Sequence, residues 1–142
     1  LRELREGIRQ LVRPGELLVE IRVPPLPRGA GWAFDELSRR RGDFAIAGAA
    51  ALVHLAEGRI AWARLAFTGV GERPSRAHRT EEALRGQAPS EQAVAAAAEQ
   101  SVADLTPGSD LHASADYRRD VAKVMARRTL LKAIERARTA SQ

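Results

Sequence analysis

The chain has 142 residues, a length at which one domain is expected over 1–142, since single domains hold ~100–200 residues; residues 1–14 read as a peripheral N-terminal segment. Its hydrophobic share of 44% includes 27 alanines and only six aromatics, so a core has to be built from Leu, Val and Ile against small-residue faces. The absence of cysteine excludes disulfides, Cys-ligated zinc and an iron–sulfur cluster carried by this chain, no apolar run approaches the ~20 residues of a membrane span, and the 23 basic residues behind a net charge of +5 are interleaved with 18 acidic ones, which argues against a nucleic-acid surface.

Leu1, Leu4, Ile8, Leu11 and Val12 recur at helical spacing and predict a short amphipathic helix that closes before Pro14-Gly15. Residues 16–23, ELLVEIRV, alternate Leu17, Val19, Ile21 and Val23 against Leu18, Glu20 and Arg22, a strand pattern stopped by Pro24-Pro25. Residues 24–31 carry three prolines and two glycines and read as a linker. The stretch 34–70 is the one around which the other elements are organised, because the turn Ala56-Glu57-Gly58 sits between two apolar arms and predicts a hairpin. On its second arm, Ala61, Ala63, Leu65 and Phe67 share one face, with Ile60, Trp62, Arg64, Ala66 and Thr68 on the other. The first arm, 45–51, is alanine-rich enough for helix propensity to compete, and the strand is the reading taken.

After a glycine- and proline-containing connection over 69–79, Thr80 followed by Glu81 and Glu82 predicts a helix start, with Gly86 as its end. Ser90 is placed to cap a helix over 91–105, stopped before Pro107-Gly108. The last and longest helix is expected from near Ser114 to about Arg138, with Tyr117, Val121, Val124, Leu131 and Ile134 on one stripe. Strands followed by helices give an α+β fold: a two-layer sandwich in which a mostly antiparallel, three- to four-stranded sheet packs against about three helices.

His54, His78 and His112 are far apart and sit in no metal-ligand spacing. Ser109, Asp110 and His112 can be drawn as a triad, but no nucleophile-elbow pattern surrounds the serine. Gly69-Val70-Gly71 lacks the third glycine and the βαβ context of a dinucleotide fingerprint and reads as a turn. The constellation that stands out is Arg39, Arg40, Arg41, Gly42, Asp43 and Phe44, a basic cluster, a flexible glycine, a carboxylate and an aromatic at the mouth of the hairpin.

Four segments, GELLVEIRVP at 15–24, RRRGDFAIA at 39–47, ARLAFTGVGERPSRA at 63–77 and SDLHASADYRRDVAKVMARR at 109–128, together resemble the C-terminal domain of the FAD-binding (medium) subunit of molybdenum hydroxylases, the carbon monoxide dehydrogenase and xanthine dehydrogenase flavoproteins. The resemblance implies a part of an oxidoreductase that is not catalytic alone. It closes over the flavin isoalloxazine and supports electron transfer from iron–sulfur clusters to FAD. The implied partners are an N-terminal FAD-binding region, absent from this sequence, a two-cluster iron–sulfur subunit and a molybdopterin large subunit, in a cytoplasmic complex with neither nucleic acid nor membrane. The implied cofactor-contacting residues are Arg39, Arg40, Gly42, Asp43 and Phe44, with no metal ligands. They form a partial site, so the chain alone is expected to hold no FAD. Members of this family often carry tyrosine where Phe44 stands and lysine at or next to Asp35-Glu36, and this chain has neither. Within SADYRRDV, Ser114 is expected to cap the last helix and Tyr117 and Arg118 to anchor it. The alternative is a free-standing α+β binding or subunit-assembly module without flavin.

Overall fold

The hairpin is the centre of the sheet. In the computed structural model, which describes residues 13–40, 42–103 and 105–140, strands β2 (Ala45–Ala56) and β3 (Arg59–Thr68) pair antiparallel across a turn at Glu57-Gly58. Both turn residues have positive φ, 51° and 71°, the left-handed backbone that a two-residue hairpin connection needs in order to match the strand twist. Strand β1 (Ala30–Ser38) pairs antiparallel with β2, and the two-residue β4 (Ser75–Arg76) with β3, giving the order β1-β2-β3-β4. Three helices complete the described fold: α1 (His78–Leu84), α2 (Glu91–Gln100) and α3 (Ala115–Ala140). This is the expected α+β, antiparallel arrangement; the helix expected over the first dozen residues lies outside the described ones.

Alanine decides how the layers meet. Helix α3 lies across β1 and β2, and the residues that face one another, Ala33, Ala49 and Ala51 on the strands and Ala122, Ala126, Ala133 and Ala137 on the helix, are all buried. Gly31 marks the closest approach, for a Cβ there would fall 1.9 Å from the Ala133 carbonyl oxygen. Phe67, Leu65, Ile60, Val53, Leu84, Val94 and Leu130 fill the remaining space.

Several sequence expectations are corrected. Residues 16–23 are not a strand of this sheet: they enter no ladder, and among the described residues the backbone of 17–26 makes no hydrogen bond. Alternation describes the faces a strand would have, but a strand exists only where a neighbour accepts its backbone groups. The strand that pairs with β2 is β1, which takes up Ala30 and Gly31 from the expected linker. Ile60, expected outside, is fully buried, because the register steps from His54↔Trp62 to Leu55↔Ile60 and leaves Ala61 as an extra, bulged residue that exchanges the faces. Helix α1 starts two residues before Thr80; its N-cap, Ala77, offers no side chain, and Thr80 is buried with its hydroxyl donating to the Ala97 carbonyl at 3.4 Å. Gly86 does follow the helix end with φ of 76°. Ser90 caps α2 through Ala93 N–H at 3.2 Å, but the helix ends at Gln100, and the turn after it buries Val102 and Leu105.

On α3 the buried stripe contains Val121 and Ile134 as expected, with Leu131 packed at its margin, whereas Tyr117 and Val124 stand about half exposed. Residues 117, 124 and 131 repeat every seven positions. That spacing drifts away from a face recurring every 3.6 residues, and the small residues between them set the contact.

Candidate functional site

The open end of the hairpin forms a cleft of about 560 Å³. Its walls come from the loop between β1 and β2, the end of β3 with Gly69 and Gly71, and the 106–112 segment leading into α3. The loop is built from its own turn. The Arg40 carbonyl accepts from Asp43 N–H at 3.1 Å and from the Ser38 hydroxyl at 2.9 Å, and Gly42 closes the turn with φ of 85°. Asp43 accepts from Phe44 N–H through Oδ1 at 2.9 Å and faces Arg39 through Oδ2 at 3.8 Å. Of the predicted site residues, Arg39, Asp43 and Phe44 therefore come together on the cleft; Arg40 and Gly42 shape the turn without lining it. Phe44 is 92% exposed, an aromatic ring with no cover of its own.

Arg118 forms the floor, 8% exposed at the start of α3. Its Nη1 donates to the carbonyls of Ile46 at 2.6 Å and Gly69 at 2.9 Å, and its Nη2 donates to Asp110 Oδ2 at 2.6 Å. One planar guanidinium thus ties the start of β2, the end of β3 and the loop before α3, which is the anchoring expected of it; Tyr117, half exposed, contributes nothing comparable. Ser114 caps α3 through Tyr117 N–H at 3.2 Å.

Asp110 is the site residue whose role sequence reasoning missed. Its Oδ1 accepts from His112 N–H at 2.8 Å and Ala113 N–H at 3.0 Å. These bonds, with Arg118 behind them, favour the carboxylate and lower its pKa from 3.8 to about 2. Among the described residues Asp110 accepts from two amides and a guanidinium and not from the His112 ring, and Ser109 Oγ accepts from Ala115 N–H at 2.9 Å, so the triad is not formed. The Asp-x-His-Ala spacing before a capping serine is the available signal, a side chain folding back onto the amides two and three residues ahead. Among the described residues no group of three or more His, Cys, Asp or Glu is placed to hold a metal ion, and no helix is long and apolar enough to cross a membrane.

For a flavin ring, these residues fit as one wall. The cleft volume lies within the ~300–1,000 Å³ usual for ligand sites, and it offers an aromatic face, a carboxylate and a guanidinium at its rim. Arg118, 8% exposed and holding three protein oxygens, belongs to the wall rather than to a ligand.

Residues 32–133 match the model of the CO dehydrogenase flavoprotein C-terminal domain. The chain is 47% identical over 128 residues to the 6-hydroxypseudooxynicotine dehydrogenase complex subunit alpha of Paenarthrobacter nicotinovorans, covering 89% of this chain and 43% of that one. It is 37% identical over 120 residues to the carbon monoxide dehydrogenase medium chain of Hydrogenophaga pseudoflava, covering 84% and 42%. Among solved structures it is similar to the carbon monoxide dehydrogenase of Hydrogenophaga pseudoflava that lacks the Mo-pyranopterin moiety of the molybdenum cofactor, with TM-score 0.77 and 38% identity over 80% of this chain and 40% of that chain. The chain thus spans less than half the length of the curated relatives it matches.

Proposed function

We propose that this chain, which belongs to the CO dehydrogenase flavoprotein C-terminal domain family of molybdenum-hydroxylase FAD-binding subunits, closes over the isoalloxazine end of FAD held mainly by an upstream region. The partners proposed with it are that upstream FAD-binding region, an iron–sulfur subunit and a molybdopterin subunit. Bound FAD supplies a carrier that takes electrons from the iron–sulfur side of such a complex and passes them to an outside acceptor.

The observation that carries the reading is Phe44, a large apolar ring left 92% exposed on the rim of a cleft between charged groups. Leaving such a ring in water forgoes a burial contribution of ~1.5–3 kcal/mol, which a flat aromatic ligand laid against it would recover. In this reading Phe44 covers one face of the ring. Gly42 and the Arg40 carbonyl give the loop its turn, Arg39 sets a cation at the rim, and Asp43 sets a negative charge at the mouth that opposes added electrons. Arg118, acting through Ile46 and Gly69, holds the start of β2, where the loop ends, against the end of β3.

Spectroelectrochemical titration of the complete flavoprotein tests this. Asp43→Asn removes one negative charge and raises the flavin midpoint potential by ~10–30 mV for a two-electron couple, the scale of one partly solvated charge. Phe44→Ala slows reoxidation more than it moves the potential. An unchanged potential in the first variant together with unchanged reoxidation in the second would show the loop to be a solvated hairpin mouth.

A further inference from the structure

We infer that His112 is the proton-exchanging group of the flavin site: its ring takes up a proton from water as electrons reach the isoalloxazine and releases it as they leave. This deepens the proposed function and rests on it for the presence of FAD beside the 39–44 loop.

His112 lines the cleft together with Arg39, Asp43 and Phe44 of the loop and with Arg118. Its place there is set by the backbone. The His112 N–H donates to Asp110 Oδ1 at 2.8 Å, and the Asp110 N–H donates to the Ala113 carbonyl at 3.1 Å, which closes a turn around the residue. Asp110 is in turn held by Arg118, so His112 is mounted on the hub that joins the start of β2 to the end of β3. The imidazole is exposed and, among the described residues, makes no hydrogen bond or ion pair. The amide thus serves the fold, and the ring nitrogens are left to water.

Iron–sulfur clusters hand on electrons without protons, so negative charge arriving at a flavin is met by protons or cations around it. The charged groups that share the cleft with His112 are Arg39 and Asp43 of the β1–β2 loop, Glu72 beyond β3, Asp110 on its own segment and Arg118 of α3. Arginines and carboxylates ordinarily keep one charge near neutrality, and Asp110 is fixed further, its pKa lowered to about 2 by the amides of His112 and Ala113 and by Arg118. Imidazole is the side chain whose charge ordinarily changes between pH ~5 and ~8. His112 is therefore the group of this cleft able to answer added electrons with a proton. Negative charge built up beside it favours the imidazolium, and the imidazolium favours the added electrons by the same free energy. Two electrons accompanied by one proton from water leave a single negative charge at the ring system. One further proton, passing from water to a nitrogen of His112, offsets it and returns to water when the electrons depart to the outside acceptor.

Histidine NMR signals of the complete flavoprotein, followed through a pH titration with FAD oxidised and then reduced by dithionite, test this, with His112→Gln assigning the signal. The His112 ring is expected to bind its proton ~2- to 10-fold more tightly in the reduced state, the scale of one partly solvated charge. In spectroelectrochemical titration the unsubstituted protein is expected to have a higher flavin midpoint potential than His112→Gln at pH ~5, and the two to converge above pH ~8, where the imidazole is neutral. Equal proton affinity in the two redox states overturns the inference, as does a potential difference that is absent or independent of pH. The substitution keeps the backbone bond to Asp110. Should it nevertheless not fold, His54→Gln and His78→Gln assign the signal by exclusion, and the two redox states of the unsubstituted protein decide. Asp43→Asn, titrated alongside, separates the two failures. A shifted potential there with a redox-independent His112 titration strikes the proton exchange alone, whereas no response at either residue strikes the flavin contact as well.

Discussion

The two faces of the sheet are made by alternate residues of the same three strands, yet they are solved in opposite ways. Toward the helices stand Gly31, Ala33, Ala49, Ala51, Val53, Ala63, Leu65 and Phe67, all buried under α3 and its neighbours. Away from them stand Trp32 and Phe34, about half exposed, with Trp62 and Arg64. There the rings make do with what the surface offers: Arg136 lies 4.4 Å over Trp32, Arg64 lies 5.7 Å from Trp62, and His54 stacks on Trp62 at 5.6 Å. The small residues are inside and most of the large aromatics outside, because small faces let a helix close on a sheet, while rings suit a face that is not filled from within this chain.

The widest separation between the faces is expected from one pair of truncations. Phe67→Ala opens a cavity under the helices and costs ~3–5 kcal/mol in chemical denaturation. Trp62→Ala removes a ring that is already part-solvated and costs under ~1.5 kcal/mol, mainly its contact with cations and with His54. Equal losses would mean that the outer face is closed in solution. Adding one methyl group tests the same contrast from the other direction. Gly31→Ala drives a Cβ into the backbone of α3, at 1.9 Å from Ala133 O and 2.4 Å from Ala137 N, and is expected to cost ~1–3 kcal/mol by calorimetry. At the outer rim, Gly58→Ala meets no atom within 4 Å, so its cost is confined to the strain of its φ of 71°.

The smallest effect is electrostatic and belongs to the hairpin mouth. Asp110 has its pKa lowered from 3.8 to about 2 by the amides of His112 and Ala113 and by Arg118. A lowered carboxylate stabilises the fold while it is ionised, so its contribution is complete above pH ~4 and is lost as the pH falls through about 2. The urea midpoints of the unsubstituted chain and of Asp110→Asn should therefore differ near neutrality and converge across that window. A constant difference down to the lowest pH would assign the effect to hydrogen-bond geometry instead of charge.

How much of this was legible in the sequence follows from the range of each determinant. The Glu57-Gly58 turn, the Ser90 and Ser114 caps and the Leu65 and Phe67 face depend on residues within a few positions of one another, and all were readable. The partner of β2 was not, because 16–23 and 30–38 both carry strand features and only the assembled sheet selects between them. Ile60 was misplaced by a single bulged residue that no local pattern announces. Glu81 looked like an ordinary acid in a first helical turn; in the fold it is buried, accepting from Leu65 N–H at 3.0 Å and from Arg76. At the site, the 39–44 loop was visible as an odd mixture of residue types, whereas the Arg118 hub joins carbonyls 49 and 72 residues away and becomes visible only in the fold.

The closure of β3 also has a consequence for how this domain behaves at high concentration. Beyond the two residues of β4, the strand's free side is taken up piece by piece: Ala77 N–H donates to the Leu65 carbonyl at 2.9 Å, the Glu81 carboxylate occupies Leu65 N–H, and residues 86 and 87 occupy Ile60. A bare strand side offers unpaired amides and carbonyls to further copies, and a carboxylate set against that side is one of the devices that blunt such pairing. Glu81 therefore helps close this side of β3, and shortening helix α1 would uncover the strand's backbone there while leaving the hairpin's own turn intact.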